Sequence, residues 1–200
     1  MAAMARTMRR DAARNRDRLL REAAGVFTEQ GLNGSLEEIA RRSGVSIGTL
    51  YNHFPTRDAL IEALLPPRLA AVDEFAAQAE AEPDPWTAFT GFIENLLTQL
   101  TADRGFLEAF TGGHPAAARV AEACQRGMTH LSTVLDRARR AGAIRADADD
   151  DDIVNLLRAL SLLGESAGAS AWQRSLHFVL DGLRASQHLN GSSGTKSMDL

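Results

Sequence analysis

Helical periodicity, with almost no two-residue alternation to compete with it, predicts an all-α protein. Apolar residues recur at spacings of three and four in Leu20, Ala23, Ala24 and Phe27, and again in Phe89, Phe92, Ile93, Leu96, Leu97 and Leu100. Capping residues and closing glycines punctuate the chain between such runs, and no internal repeat interrupts the series. The 200 residues can bury a sizeable core. Composition shifts divide them into an arginine-rich, unpatterned arm over 1–13, a compact three-helix unit over 14–65, a larger helical region over 66–185 and a polar Gly/Ser-rich tail over 186–200. The arm is expected to be mobile and the tail disordered.

The first helix is predicted from about Ala13 to Gln30, with Gly31 as the left-handed residue that closes it. In "SLEE" the Ser35 hydroxyl can accept from the Glu38 amide while the Glu38 side chain reaches back, a capping box that opens a second helix over Leu36–Arg42. Gly44 makes the turn. Ser46 then caps a third helix, with Val45 and Leu50 spaced as a hydrophobic staple, and Thr56 caps a fourth after Pro55.

A helix, a tight glycine turn and a short capped helix form the layout of a helix-turn-helix. A segment as short as the third helix is marginal alone, so Leu50 and Phe54 must pack on Ile39, Ala40 and Phe27. At about 100° per residue, Gly48 and Asn52 then point farthest from Leu50, flanked by Thr49 and Tyr51. A B-DNA major groove admits one helix. Thr and Asn can bond base edges or phosphates there, Tyr and His can reach phosphates at the rim, and Arg57 joins free amides at a helix amino terminus, both attractive to phosphate.

Charge agrees with this placement. Ten arginines against seven acidic residues give residues 1–60 a charge of +3, which leaves −7 of the net −4 to the remaining 140. The positive potential lies beside the third helix. A single cysteine, Cys124, excludes an intramolecular disulfide framework, cannot by itself make a zinc site and reads as a small buried apolar residue. Without a signal-peptide pattern or an 18-residue apolar span, the expected compartment is the cytoplasm, with no membrane partner.

The stretch "FTEQGLNGSLEEIARRSGVSIGTLYNHFPTRDALIEALL" resembles the amino-terminal domain of the TetR (tetracycline-repressor-like) family of transcriptional regulators. The match covers residues 15–65, with glycines, capping box, "GVSxGTLYxHF" core and the start of the fourth helix in register. The resemblance implies that the third helix, capped by Ser46, enters the major groove of double-stranded DNA, that Tyr51 and His53 grip phosphates and that Thr49 contacts backbone or base. Arg57 stands where the family has a cation on a phosphate. Ile47 and Gly48 occupy positions that set sequence preference, and Ile47 can meet a thymine methyl. Asn52 is a candidate contact at a variable position. The family also builds one long helix out of this domain, and Pro66-Pro67 puts its continuity here in doubt, because proline removes intrahelical bonds and biases Leu65 away from the α region.

Further helices are predicted from Asp84-Pro85, over "RGFLEAF", and over a long segment ended by Gly142. The acidic run at 149–152 fails as an EF-hand, which would need glycine at Asp152 and glutamate at Arg158, and reads as helix-capping carboxylates. The last two helices, about Asp150–Gly164 and Ala171–Ala185, carry Ile153, Leu156, Leu157, Leu160 and Leu163, then Trp172, Leu176, Val179, Leu180 and Leu183. They are similar to the pair that forms a four-helix homodimer interface in many TetR proteins. The family's small-molecule cavity would take its lining from Trp86, Phe89, Phe92, Ile93, Phe106, Phe110, His114, Cys124 and Met128, which read otherwise as plain core. No phosphate-cradling glycine loop, nucleophile elbow or H-E-x-x-H pattern points to an enzyme or a cofactor. The leading expectation is a homodimeric, effector-responsive repressor on a pseudo-palindromic operator; its rival is a helical adaptor that has lost DNA binding.

Overall fold

The structure, a computed structural model, describes the backbone of residues 2–110 and 118–185 and the side chains of all of these except 2–9, 110 and 118–124. Nine helices follow one another within the described residues: α1 (Ala2–Gln30), α2 (Leu36–Arg42), α3 (Ile47–His53), α4 (Arg57–Ala81), α5 (Pro85–Ala102), α6 (Arg104–Phe110), α7 (Ala118–Arg140), α8 (Asp150–Ala167) and α9 (Ala169–Leu183). Their ends follow from local chemistry. Ser46 and Thr56 accept from the amides of Thr49 and Ala59, and Asp84 from that of Thr87, each satisfying one of the donors that a helix start leaves open. Gly31, Gly44 and Gly142 take φ of 76°, 64° and 66° at the turns expected of them. The acidic run works as capping: Asp149 accepts from the Asp152 amide and Asp152 from that of Asp149.

Two apolar cores result among the described residues. In the first, Leu19, Ala23, Val26 and Phe27 of α1 meet Ile39 of α2, Leu50 of α3 and Leu60, Ile61 and Leu64 of α4. The second is centred on α5, whose Phe89, Phe92, Leu96 and Leu97 pack among α4, α7, α8 and α9. Each fully buried Val, Leu, Ile or Phe among them contributes about 1.5–3 kcal/mol through burial. A short antiparallel bridge between Ile144 and Arg184 ties the end of α9 to the α7–α8 loop.

Several expectations are corrected. Residues 2–13, expected as a mobile arm, continue α1 as helix, adding about three turns. The tail 186–200 lies outside the described residues. At Ser35 only half of the capping box is built: the hydroxyl accepts from the Glu38 amide, but the Glu38 carboxylate turns to Arg41 and Arg42, whose guanidiniums offer stronger, charge-assisted donors.

Most consequential is α4, which runs unbroken through Pro66 and Pro67. Burial on both sides overrides the local bias: Leu64 and Leu65 belong to the first core, and Val72 and Ala79 to the second. Lateral bonds fasten the stretch just beyond the prolines. Arg68 donates from Nε to Asp103 at 2.6 Å and from Nη1 to the Leu64 carbonyl at 2.9 Å, while Gln99 donates to the Arg68 carbonyl at 3.0 Å. Asp103 also caps α6 by accepting from the Phe106 amide. The Arg68–Asp103 pair is only 16% and 15% exposed, so truncating one partner strands the other's charge. Arg68→Ala is therefore expected to destabilise the fold by ~2–4 kcal/mol, just under the fully buried range. Pro66→Ala/Pro67→Ala restores two helical donors and is expected to stabilise it by ~1–3 kcal/mol. Urea unfolding of the three proteins measures both.

Candidate nucleic-acid interface and ligand cleft

The attitude of α3 is set by two side chains. Leu50 and Phe54 are almost wholly buried against α1, α2 and α4, and with one face so committed, the opposite face of α3 must meet solvent. Ile47 and Tyr51 lie along the edge of that face, 36% and 45% exposed, large side chains left open where most of this domain's apolar residues are buried. Gly48 and Asn52 are exposed beside them. A Cβ built on Gly48 would meet nothing nearer than the Ser46 hydroxyl at 3.8 Å. Internal packing therefore does not require glycine there; what it clears is space outside the protein.

Ser46 and Thr49 are partly engaged with each other. The Ser46 hydroxyl accepts from the Thr49 amide at 3.1 Å and lies 2.9 Å from the Thr49 hydroxyl, so Ser46 first serves the helix start. His53 is half-buried, its ring 6.4 Å from that of Phe54. Arg57 departs from its expected outward position. Its Nη1 donates to the carbonyls of Leu32 at 2.9 Å and Gly34 at 2.5 Å, and its guanidinium lies 6.0 Å from the Phe27 ring. Three inward partners give it a structural task, while its side chain stays half-exposed.

Two cations on α1 escaped the sequence reading. The Arg16 guanidinium lies 5.2 Å from the Phe54 ring centre, at the end of α3, and Arg18 donates to the Ser43 carbonyl in the turn. Only the folding of α1 across the turn brings them there, so spacing gave no signal. On α2, Arg42 joins Glu29 of α1 to Glu38, which also accepts from Arg41. Hydrogen bonds from Arg41 and Arg42 lower the Glu38 pKa from 4.5 to about 2.

In the carboxy-terminal region an open cleft of about 760 Å³ lies between α4 and α7. His130 Nε2, 2.9 Å from Asp73 Oδ1, links its walls. Arg137 closes one end by donating to the carbonyls of Ala79 and Glu82, where α4 terminates. Of the expected lining residues whose side chains are described, only Met128 borders this cleft. Phe89, Phe92, Ile93 and Phe106 are core residues, buried because α5 and α6 lie inside their neighbours. Trp86 packs half-buried beneath the Arg184 guanidinium, 4.9 Å from its ring centre. His114 and the side chains of Phe110 and Cys124 lie outside the described residues.

The expected dimer stripe is likewise redirected inward. Ile153, Leu157, Leu160, Trp172, Leu176, Leu180 and Leu183 are buried within one chain, and Leu156 and Val179 are half-buried. α8 and α9 spend these stripes on α5 and on each other. What they leave in solvent is Leu162, 61% exposed, and Phe178, 67% exposed. Both point away from the core-facing stripe of their helix, a position that the periodicity reading passed over.

Two measurements follow. Because the Glu38 pKa is depressed in the folded chain, its contribution to stability is complete above about pH 4.5 and is lost as the pH falls through about 2. Carbon-detected NMR titration is expected to give a midpoint near 2 for Glu38, and Glu38→Gln to flatten the acid limb of stability. On α3, His53→Ala is expected to weaken binding to all DNA sequences alike, whereas Ile47→Ala changes which sequence is preferred. Fluorescence anisotropy on a panel of duplexes separates the two.

A family model described as bacterial regulatory proteins, tetR family, matches residues 19–64. A second, described as transcriptional regulator SbtR-like, C-terminal domain, matches residues 84–185. Among solved structures, the TetR transcriptional regulator SCO0520 from Streptomyces coelicolor is 33% identical, with a TM-score of 0.59 over 86% of this chain and 99% of that one. The TetR transcription regulatory protein from Mycobacterium vanbaalenii is 34% identical, with a TM-score of 0.52 over 88% of this chain and 99% of that one. The HTH-type transcriptional regulator UidR of Escherichia coli (strain K12) is 37% identical over 59 residues, which span 29% of this chain and 30% of that protein. With a matching model at each end and relatives aligned over nearly their whole length, this chain belongs to the TetR family of transcriptional regulators.

Proposed function

We propose that the protein is a homodimeric repressor that reads a pseudo-palindromic operator with α3 and responds to a small molecule bound between α4 and α7. The observation that carries the reading is the outer face of α3, where Ile47, Gly48, Tyr51 and Asn52 stand in solvent above a buried Leu50 and Phe54. Ile47 and Gly48 set the preferred sequence, while Tyr51, His53 and Thr49 hold the backbone. A groove contact by so short a helix is small, so tight binding needs two copies, with recognition helices roughly 34–36 Å apart.

The second copy docks on the outward faces of α8 and α9, where Leu162 and Phe178 supply the apolar anchors. The effector occupies the α4–α7 cleft, whose volume lies within the roughly 300–1,000 Å³ of ordinary ligand sites. Its walls bear Asp73, Glu80, His130 and Arg140 beside Met128, which suits a ligand with polar groups at its rim better than a purely apolar one.

Selection of duplexes from a random library by the full chain tests the DNA reading: inverted repeats with half-sites one helical turn apart are expected, and retention of none would overturn it in favour of an adaptor. Phe178→Glu is expected to give a monomer by sedimentation at micromolar concentration, with operator affinity reduced at least tenfold. A wild-type monomer under the same conditions would remove the dimer from the proposal.

A further inference from the structure

The end of α1 is closed by another part of the molecule. Gly31, in the left-handed conformation, donates its amide to the Phe27 carbonyl at 2.9 Å, the single five-to-one bond that closes a helix in the simpler left-handed cap. That cap uses no further amide, so the next one, Leu32, is left to find a partner outside its own helix. It donates to the Glu108 carboxylate of α6 at 2.8 Å, 76 residues away. From the opposite side Arg57 Nη1 donates to the Leu32 carbonyl at 2.9 Å. One residue of the α1–α2 loop is thus gripped at its N–H by α6 and at its C=O by α4.

The surroundings are shaped to admit this grip. A Cβ on Gly31 would come within 2.2 Å of Glu108 Oε1, and one on Gly105 within 3.0 Å of the Phe27 carbonyl, so both glycines let α6 approach the loop. Arg104, one turn before Glu108, donates to its carboxylate at 3.2 Å. The start of α6 is fixed in turn by Asp103, which caps it and holds Arg68 of α4. A closed circuit runs from Arg57 through Leu32, Glu108 and α6 to Asp103 and Arg68. It bridges the two sides of Pro66-Pro67 by a second route.

We infer that Glu108 is a positioning residue for DNA recognition: by holding the Leu32 amide, it locks the α1–α2 loop to α6 and so sets the attitude of α2 and α3 relative to the carboxy-terminal region. A displacement of α6 cannot then leave the reading head where it was without breaking a charge-assisted hydrogen bond. The device rests on the DNA-binding reading for its purpose but not for its existence.

The test compares the full-length wild type with Glu108→Gln, which keeps an acceptor without the charge, and Glu108→Ala. Amide exchange by NMR reads the clamp, and anisotropy at several salt concentrations reads binding to a duplex selected by the wild type. Leu32 exchange is expected to rise about threefold in Gln and tenfold or more in Ala. Leu96 and Leu97 in α5 are expected to keep wild-type rates. Affinity is expected to fall in the same order, severalfold in Ala, at unchanged salt slope, because no phosphate contact is lost. If Ala does not fold, Gln alone decides on the same two readouts. Leu32 exchange equal to wild type, or affinity equal to wild type with exchange accelerated, would overturn the inference. A wild type that retains no duplex would overturn the DNA reading, while the Leu32 rates would still show whether the clamp exists.

Discussion

One helix has to belong to two cores at once, and two prolines sit where it passes between them. α4 places Leu60, Ile61, Leu64 and Leu65 in the amino-terminal core and Val72 and Ala79 in the carboxy-terminal one. Two missing donors weaken its backbone midway. The structure offsets this loss with side chains from outside the helix. Arg68 reaches Asp103, Gln99 reaches the Arg68 carbonyl, and apolar burial on either side holds the axis. α6 can then lie against the α1–α2 loop, because its first turn is anchored to the same Asp103.

The reading head depends on that support. Seven residues of α3 are too few to hold a helix in water, and what keeps them helical is the Ser46 cap and the burial of Leu50 and Phe54. These commitments account for one face completely and so release the other. The uncommitted side chains are the ones with something to offer a groove. Ser46, Thr49 and Arg57 serve the fold as well: each has a suitable donor, and each already has a partner inside the protein.

Electrostatics divides the chain along the same line. The amino-terminal 60 residues carry the excess of arginine, some of it exposed and some, as in Arg41 and Arg42, bound up with Glu38 and Glu29. The carboxy-terminal acidity is spent locally: Asp84, Asp103 and Asp149 each cap a helix, and Asp136 pairs with Arg139. A run of four aspartates thus needs no metal to account for it. Two of them satisfy each other's amides, and a helix amino terminus favours all of them.

By itself the sequence determined the helices, most of their boundaries and the outward face of α3. These follow from interactions within a few residues: a hydroxyl three positions from an amide, a glycine where φ must be positive, a 3.6-residue period that separates Leu50 from Gly48. It also supported the family resemblance, because the residues that carry it lie in one continuous stretch. Only the tertiary structure decided where each apolar stripe would be spent. Periodicity identifies a buried face but not its neighbour, so Phe89 and Phe92 could pass for a cavity wall, and Ile153 and Leu176 for a subunit interface, until α5 was seen to occupy the space between them. The same reason governs Pro66-Pro67 and Arg57. Local rules judge proline by the donors it removes and arginine by its charge, whereas Asp103 and the Leu32 carbonyl, distant in sequence, supply contacts that exist only once the chain has folded.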